Sequence, residues 1–332
     1  MTGFDDFEIT EGVLKKYSGS KTSVKIPFGV RSIGEYAPDL SEPAGGIMVM
    51  TPFRNSDTLH RVSLPDSLIV IGQAAFRGCG ALEEINIPES VETVGAEAFQ
   101  NCRSLHTAVI PEGVKSIGDR AFDNCAALRE IIIPASVEYI GEMAFRGCVS
   151  LGSVFISGKT KIGHSAFRDC VSLTALSIPD CVTEIGVSAF AGCAALRSVV
   201  LPGGTAWSPV GLFEGCVSLE SVNIPENAET IFMRGFANCS SLRSVYIPAN
   251  VKRICNSAFD NCTALEAVTI AGKEARIDEQ AFDGCSPAIY GLRGSTAQKY
   301  AKAHGLQFFP IRQEGDAIVP DGLLDRFRGG RN

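Results

Sequence analysis

Residues 79–102 read CGALEEINIPESVETVGAEAFQNC, and the pattern of this phrase predicts how the chain folds. Leu82, Ile85 and Ile87 form an L-x-x-I-x-I element, whose last two apolar residues alternate as in a strand with one buried face. The proline that follows lacks a backbone N–H and ends the strand. A second short apolar segment comes next, and Gly95 is expected to turn the chain at positive φ. The Ala-Phe pair after it predicts one short helical turn before the closing cysteine.

The phrase recurs along the chain at steps of 22 or 23 residues. Each repeat carries a cysteine three positions after its phenylalanine, and the phenylalanines are Phe76, Phe99, Phe122, Phe145, Phe167, Phe190, Phe213, Phe236, Phe259 and Phe282. Self-similarity at such a period is typical of a solenoid, in which stacked coils bury what one coil cannot. An earlier partial copy begins at Val24. We therefore predict an α/β repeat solenoid of about eleven coils, mainly short β-strands with short helical turns.

The pattern C-x-x-L-x-x-I-x-I-P-x-x-V-x-x-I-G-x-x-A-F resembles the bacterial BspA-like (treponemal-type) leucine-rich repeat family. The resemblance implies a leucine-rich solenoid with a cap at each end. It also implies protein binding or surface adhesion, without catalysis by the repeat motifs. We predict an N-terminal cap at 1–20, a solenoid at 21–290 with an insertion at 37–52, a C-terminal cap at 291–310 and a flexible tail at 311–332.

Composition and charge limit what kind of protein this is and what it can bind. Apolar content of 45% and charged content of 20% indicate an ordered chain. A net charge of −7 and a pI near 5.3 argue against a nucleic-acid groove. The longest apolar runs, such as 131–133, are strand-sized, so no membrane insertion is expected. The first residues show neither a basic region nor an apolar core, which predicts a cytoplasmic protein. The family resemblance predicts the cell surface instead, and both locations stay open.

The cysteines are predicted to be structural. Ten of the twelve belong to the repeat, and only Cys181 and Cys255 lie outside it. Neighbours in a stacked column lie about 4.8 Å apart, a separation that disulfides tolerate. Parallel side chains in register do not readily give the torsion a disulfide requires, so we expect a column of buried free thiols.

No motif points to an enzyme or a cofactor. The stretch 152–160 looks like a phosphate loop but has five residues between its glycines, where that loop needs four. One alternative concerns His60, Glu83 and His106, which occupy the same position in consecutive repeats. Two imidazoles beside a carboxylate would make a weak divalent-metal or enzymatic site. Three solvated side chains at the edge of a sheet are the structural alternative.

The best functional signal is the residue between the last two apolar positions of each strand, which should point away from the core. Val109, Ile132 and Phe155 occupy this position in consecutive repeats and predict an apolar patch, with polar residues around it such as Arg129, Glu130 and Ser153. Large apolar patches with polar rims tend to be interaction sites. The competing explanation is that β-branched and aromatic residues simply favour strands.

Three stretches of the chain depart from the repeat. The only tryptophan, Trp207, lies in a coil that lacks the usual second apolar segment, and it is either an anchor for a partner or part of a repacked coil. The insertion holds an apolar, methionine-rich run at 47–50, which either docks a partner or packs back onto the coils. In the tail, Leu323, Leu324 and Phe327 either line one face of a short helix that binds in trans or belong to a frayed end.

We therefore expect a non-enzymatic scaffold that binds a protein or peptide through the exposed face of its main sheet. The predicted contact residues are Val109, Glu130, Ile132, Phe155, Val200, Tyr246 and Trp207. The first alternative is a cell-surface adhesin of the same fold, and the second is the metal or enzymatic site described above.

Overall fold

The computed structural model describes residues 6–34, 51–203, 206–207, 210–314 and 317–320. The chain opens on an antiparallel hairpin of β1 (Phe7–Thr10) and β2 (Val13–Tyr17). Each coil then adds a first strand and a two-residue second strand, which alternate as β3 (Ser23–Lys25), β4 (Ser32–Ile33), β5 (Arg61–Ser63), β6 (Val70–Ile71), β7 (Glu84–Asn86), β8 (Thr93–Val94), β9 (Thr107–Val109), β10 (Ser116–Ile117), β11 (Glu130–Ile133), β12 (Tyr139–Ile140), β13 (Ser153–Ile156), β14 (Lys161–Ile162), β15 (Ala175–Ser177), β16 (Glu184–Ile185), β17 (Ser198–Val200), β18 (Ala206–Trp207), β19 (Ser221–Asn223), β20 (Thr230–Ile231), β21 (Ser244–Ile247), β22 (Arg253–Ile254), β23 (Ala267–Ile270) and β24 (Arg276–Ile277).

Equivalent strands of most successive coils pair in parallel, so the chain is a β-solenoid of stacked coils; the first-strand ladder is interrupted after β9, β15 and β19, and the second-strand ladder after β18. The first strands make the main face, where Ile131 pairs with Val154 of the next coil. The second strands make a second face, where Ile117 pairs with Ile140. Pairing in register puts equivalent residues in columns, and the predicted leucine-rich repeat solenoid is confirmed.

The phenylalanine segment differs from the predicted helical turn. Backbone N–H groups here donate to the next coil, with Phe99 N 2.7 Å from Ala121 O and Glu97 N 2.8 Å from Asp119 O. Glu97 and Asn101 have φ of 57° and 62°, in the left-handed region. Left-handed residues interrupt a right-handed helix, so these segments are turns. Among the described residues, the only α-helix is α1 (Thr296–Ala303), beyond the repeats.

In six consecutive coils, from Gly72 to Gly186, the glycine that follows the second strand is needed for close packing between coils. Gly95 was expected at positive φ, but it is not among the residues in that region. A Cβ on Gly118 would lie 2.5 Å from the backbone nitrogen of Ala96 in the preceding coil. Only a residue without a side chain allows the coils to approach this closely.

A ladder of aromatic rings runs through the core. The ten repeat phenylalanines are buried, and successive ring centroids lie 5.1 to 5.9 Å apart with the ring planes within 17° of parallel. At the start of the stack, Phe53 extends the ladder to Tyr17. At the other end, Tyr300 meets Phe282 edge-on and closes the column.

The column cysteines are free thiols that hydrogen-bond to backbone. The Cys102 Sγ donates to Phe76 O at 3.1 Å, and its equivalents repeat this bond from coil to coil. Burial raises the pKa of these thiols, to about 12 for Cys79 and Cys216. Each thiol is therefore a hydrogen-bond donor, and the thiolate that disulfide chemistry needs is disfavoured.

The C-terminal end is more ordered than the predicted flexible tail. After β25 (Ala288–Leu292), helix α1 begins at Ser295, whose Oγ accepts a hydrogen bond from Gln298 N. Strand β26 (Phe308–Glu314) then pairs in parallel with β25, and β27 (Ala317–Pro320) pairs antiparallel with β26. The predicted tail, 311–332, thus begins inside a strand. Residues 321–332, with Leu323, Leu324 and Phe327, lie outside the described residues.

Two other stretches depart from the repeat, the insertion and the coil that holds Trp207. Residues 35–50, which hold most of the predicted insertion and its methionine-rich run, lie outside the described residues. The coil that was expected to lack a second segment does form a second strand, because β18 pairs with β16 and places Trp207 opposite Ile185. Backbone pairing does not depend on apolar side chains. A strand therefore forms here although the sequence lacks the apolar pattern that would have predicted it. No helix in the described part of the chain is long and apolar enough to cross a membrane.

Candidate partner-binding face

The first strands bury every second residue, and this alternation exposes the candidate site. In β9, Ala108 is buried while Thr107 and Val109 are exposed, and β11 repeats the pattern with Ile131 buried and Ile132 exposed. Since successive side chains of a strand point to opposite faces, the column predicted to face outward does so.

Three apolar side chains of this column lie side by side, and we call Val109, Ile132 and Phe155 the outer patch. They are 56%, 54% and 43% exposed. Ile132 pairs in register with Phe155, and β9 packs beside β11. The outer patch therefore spans three successive coils, with ladder pairing between β11 and β13 and side-by-side packing, without ladder pairing, between β9 and β11.

Polar residues surround the outer patch. Glu130 pairs in register with Ser153, and its side chain shares the exposed face of β11 with Ile132. Arg129 and Thr107 are exposed nearby. An apolar centre with a polar rim is the usual anatomy of a protein interface.

The other predicted contact residues are not part of the outer patch. Val200 is the most exposed of them, at 72%, but it pairs in register with the polar Asn223. Tyr246 lies on the same face two coils further along, where burial beside Glu226 raises the pKa of its hydroxyl. Trp207 belongs to a second strand, so its backbone lies on a different face, and its side chain lies outside what the structure describes.

Sequence reasoning missed an aromatic group at the C-terminal end of the main face. The pairing order there runs Tyr246, Thr269, Tyr290, Phe309. The rings of Tyr290 and Phe309 stack with centroids 5.1 Å apart, and Phe309 is exposed. Continuing the outward column one coil past the last repeat would have found Tyr290. Phe309 lies after helix α1, where the repeats have ended, so the repeat spacing does not predict its position.

A second apolar stripe lies at one corner of the coils and was also missed. The residue directly after the column cysteine is exposed in six of the ten coils, and in three of these it is valine, at Val149, Val171 and Val217. The spacing was visible in the sequence, but the residue falls in a turn, where the strand argument does not apply.

The geometry does not support a metal site in the histidine column. His60 Nδ1 hydrogen-bonds to Thr58 O at 2.8 Å, and His106 Nδ1 lies 3.3 Å from Ser104 O, so each ring is held against its own backbone. In the part of the chain that the structure describes, no three or more His, Cys, Asp and Glu side chains are grouped so that they could hold a metal ion. The alternative of a divalent site at His60, Glu83 and His106 therefore finds no support in the described residues.

Solved structures resemble this chain in fold. A leucine-rich repeat protein from Bacteroides ovatus is 26% identical, with a TM-score of 0.56 and coverage of 88% of this chain and 84% of that one. The leucine-rich repeat protein of T. pallidum is 29% identical, with a TM-score of 0.50 and coverage of 59% and 90%. A leucine-rich cell surface protein from Faecalibacterium prausnitzii is 23% identical, with a TM-score of 0.43 and coverage of 91% and 94%.

Comparison with curated proteins finds no match to the sequence. The family described as BspA type leucine-rich repeat region matches residues 50–170 and 160–288, with six copies of its repeat. These matches span well over half of the 332 residues and coincide with the stacked coils. The chain therefore belongs to the BspA-type leucine-rich repeat family.

Proposed function

We propose that this protein is a non-enzymatic scaffold that binds a protein partner through the outer patch of its main face. The observation that carries the proposal is the exposure of Val109, Ile132 and Phe155 at the same strand position of three successive coils. Exposed apolar area of this kind gains free energy when a partner removes it from water. The stack holds the three side chains in place before binding, which lowers the conformational entropy lost on association.

Two further points support a scaffold. Leucine-rich repeat proteins are generally protein-interaction scaffolds rather than enzymes. Solenoids also present extended surfaces, which fit a protein or peptide better than a small molecule. The adhesin alternative uses the same face and differs only in where the protein is displayed. Protease treatment of intact native cells, followed by immunoblotting, separates the cytoplasmic location from the surface one.

The test is charge insertion at the centre of the outer patch. Ile132→Asp with Phe155→Asp should abolish capture of the partner from native cells, because it would place two carboxylates in the apolar centre of the interface. Both positions are solvent-exposed, so the double variant should still fold, and its thermal unfolding should be measured alongside. Val200→Asp is the matched control, since Val200 is more exposed but stands apart from the outer patch. If wild type and the double variant capture the same partners, the outer patch is not the binding site.

A further inference from the structure

The C-terminal end of the main face carries an aromatic row, in a part of the sheet that is paired without interruption. Strands β21, β23, β25 and β26 are neighbours in one sheet, and Tyr246, Thr269, Tyr290 and Phe309 are in register across them. Tyr246 and Phe309 are each 42% exposed, and Thr269 and Tyr290 are half-buried. Three of the four positions therefore carry a ring, and Thr269 interrupts the row.

The interruption leaves room for one more ring. On adjacent strands, the rings of Tyr290 and Phe309 stack with their centroids 5.1 Å apart. Tyr246 and Tyr290 stand on alternate strands, two strand spacings or about 9.6 Å apart. A ring placed above Thr269 would therefore lie about one stacking distance from each tyrosine. We call this space the ring slot.

The outer face around the ring slot is uncharged. The alternation of buried and exposed residues in three neighbouring strands places six side chains on this face, none of them charged, at Ser244, Tyr246, Ala267, Thr269, Ala288 and Tyr290. The charged residues exposed beside these strands, such as Arg243 and Glu266, are of both signs. A charged occupant would lose its hydration here without gaining an ion pair, so the charge pattern is complementary to an uncharged ligand.

The walls of the ring slot also offer hydrogen-bond donors. Among the residues that the structure describes, neither the Tyr246 nor the Tyr290 hydroxyl takes part in a hydrogen bond. Burial, and then the nearby Glu226 carboxylate, raise the pKa of Tyr246, so its hydroxyl stays protonated and can donate. An extended ligand with free carbonyl groups can use both donors.

We infer that the ring slot binds a proline-rich peptide in the polyproline II conformation. Polyproline II advances about 9.3 Å in each turn of three residues, so residues three apart lie over Tyr246 and Tyr290 while a proline ring between them enters the slot. Its backbone makes no internal hydrogen bonds, and its carbonyl oxygens accept from the two tyrosine hydroxyls. The conformation is formed before binding, which lowers the entropy lost on association. This site is separate from the outer patch and does not depend on the proposed function.

The experiment is a display selection on the full chain, with a variant in which the slot is filled. A random library of peptides of about 12 residues is selected on wild type and depleted on Thr269→Phe, which places a ring of the protein's own between the two tyrosines. Phenylalanine is favoured in strands, so the variant should fold, and its thermal unfolding should be measured alongside. The expected binders are enriched in prolines at three-residue spacing. A surface that is merely aromatic would instead bind Thr269→Phe at least as well as wild type.

Substitution of the two walls then tests the slot directly. Tyr246→Ser and Tyr290→Ser should each weaken the selected peptides about tenfold. Val200→Ser is the matched control, because Val200 is an exposed apolar residue of the same face outside the aromatic row, and it should leave affinity unchanged. Ile132→Asp/Phe155→Asp should also leave affinity unchanged, since these residues belong to the outer patch.

The outcomes separate the ring slot from the outer patch. Slot-dependent peptides without prolines at this spacing overturn the proline-rich ligand, and so does a library in which no peptide distinguishes wild type from Thr269→Phe. A glycan array in which a neutral oligosaccharide, and no peptide, binds wild type but not Thr269→Phe overturns it in favour of a sugar ring. Each of these outcomes leaves the proposed function standing.

Discussion

The thiol of Cys125 donates a hydrogen bond to the backbone carbonyl oxygen of Phe99, 3.2 Å away in the preceding coil. The same oxygen accepts a bond from Cys102 N at 3.1 Å, so one carbonyl joins two coils. Ten cysteines of the chain hold this position, and each bond requires the protonated thiol. The protonation state of the column cysteines therefore affects the stability of the stack.

Stability should therefore fall in alkaline solution. Burial raises the pKa of the Cys79 and Cys216 thiols to about 12 in the folded chain, against 9.0 for an ordinary thiol. Between these values the unfolded chain has lost protons that the folded chain retains, so the free energy of unfolding decreases as pH rises. Urea unfolding measured at steps from neutral pH upward should show a loss of stability that begins near pH 9. A midpoint that stays constant up to pH 11 would contradict the role of the thiols.

Thiol reagents should distinguish the cysteines. Cys181 is exposed and should react rapidly with a disulfide reagent in the native protein. The buried column thiols should react only after denaturant is added, because the thiolate is the reactive form and burial disfavours it. Counting the thiols that react before and after denaturation checks this prediction. Cys181→Ser should remove the fast phase, and a fast phase that persists would show that the column opens in the native state.

Truncation of one ladder ring should be costly. The Phe122 ring lies 5.1 Å from Phe99 and 5.2 Å from Phe145, so Phe122→Ala opens a cavity that touches three coils. We expect a loss of about 3–5 kcal/mol in the free energy of unfolding, measured by urea denaturation. Phe309→Ala is the control, since Phe309 stacks on the outside of the main face and should cost much less. Equal losses would mean that the ladder is not the source of stability.

Replacing a left-handed turn residue by glycine should stabilise the protein. Met143 has φ of 55°, a conformation that costs a residue with a Cβ about 1 kcal/mol or more. Met143→Gly should therefore raise the free energy of unfolding by up to about 1 kcal/mol. The matched change is Gly147→Ala, where φ is +69° and a Cβ would lie 2.5 Å from Asn124 Oδ1. This second variant should be destabilised, and a stabilised Gly147→Ala would refute the strain argument.

Removing one partner of the buried Asp123–Arg146 ion pair should leave the other partner buried without its counter-charge. The Asp123 carboxylate is fully buried and accepts hydrogen bonds from Arg146 Nε at 2.9 Å and Gln100 Nε2 at 2.8 Å. The bond to Asp123 raises the pKa of Arg146. Arg146→Met leaves a buried carboxylate without its cation and should cost about 3–5 kcal/mol. Thermal and urea unfolding of Arg146→Met, Asp123→Asn and the double variant check this, since the double variant should cost less than the two single losses combined.

The repeat made most of the fold predictable, because one phrase fixes the phase of every coil. It placed Val109, Ile132 and Phe155 on the outer face from their position alone. It did not predict the turn at Glu97, since a left-handed residue other than glycine or asparagine leaves no sequence signal. Strands β26 and β27 lie after the last repeat, so the repeat period does not predict them.

The spacing of the rings is uneven along the stack. The steps from Phe190 to Phe213 and from Phe213 to Phe236 are the widest, at 5.9 Å each. In the same region the ladder of second strands stops at β18 and resumes at β20, and the ladder of first strands stops at β19 and resumes at β21. The first-strand ladder is also interrupted between β9 and β11 and between β15 and β17, but there the second strands remain paired. A molecule pulled by its two ends should therefore part first where both ladders are interrupted, so that the stretches on either side yield to force as separate mechanical units.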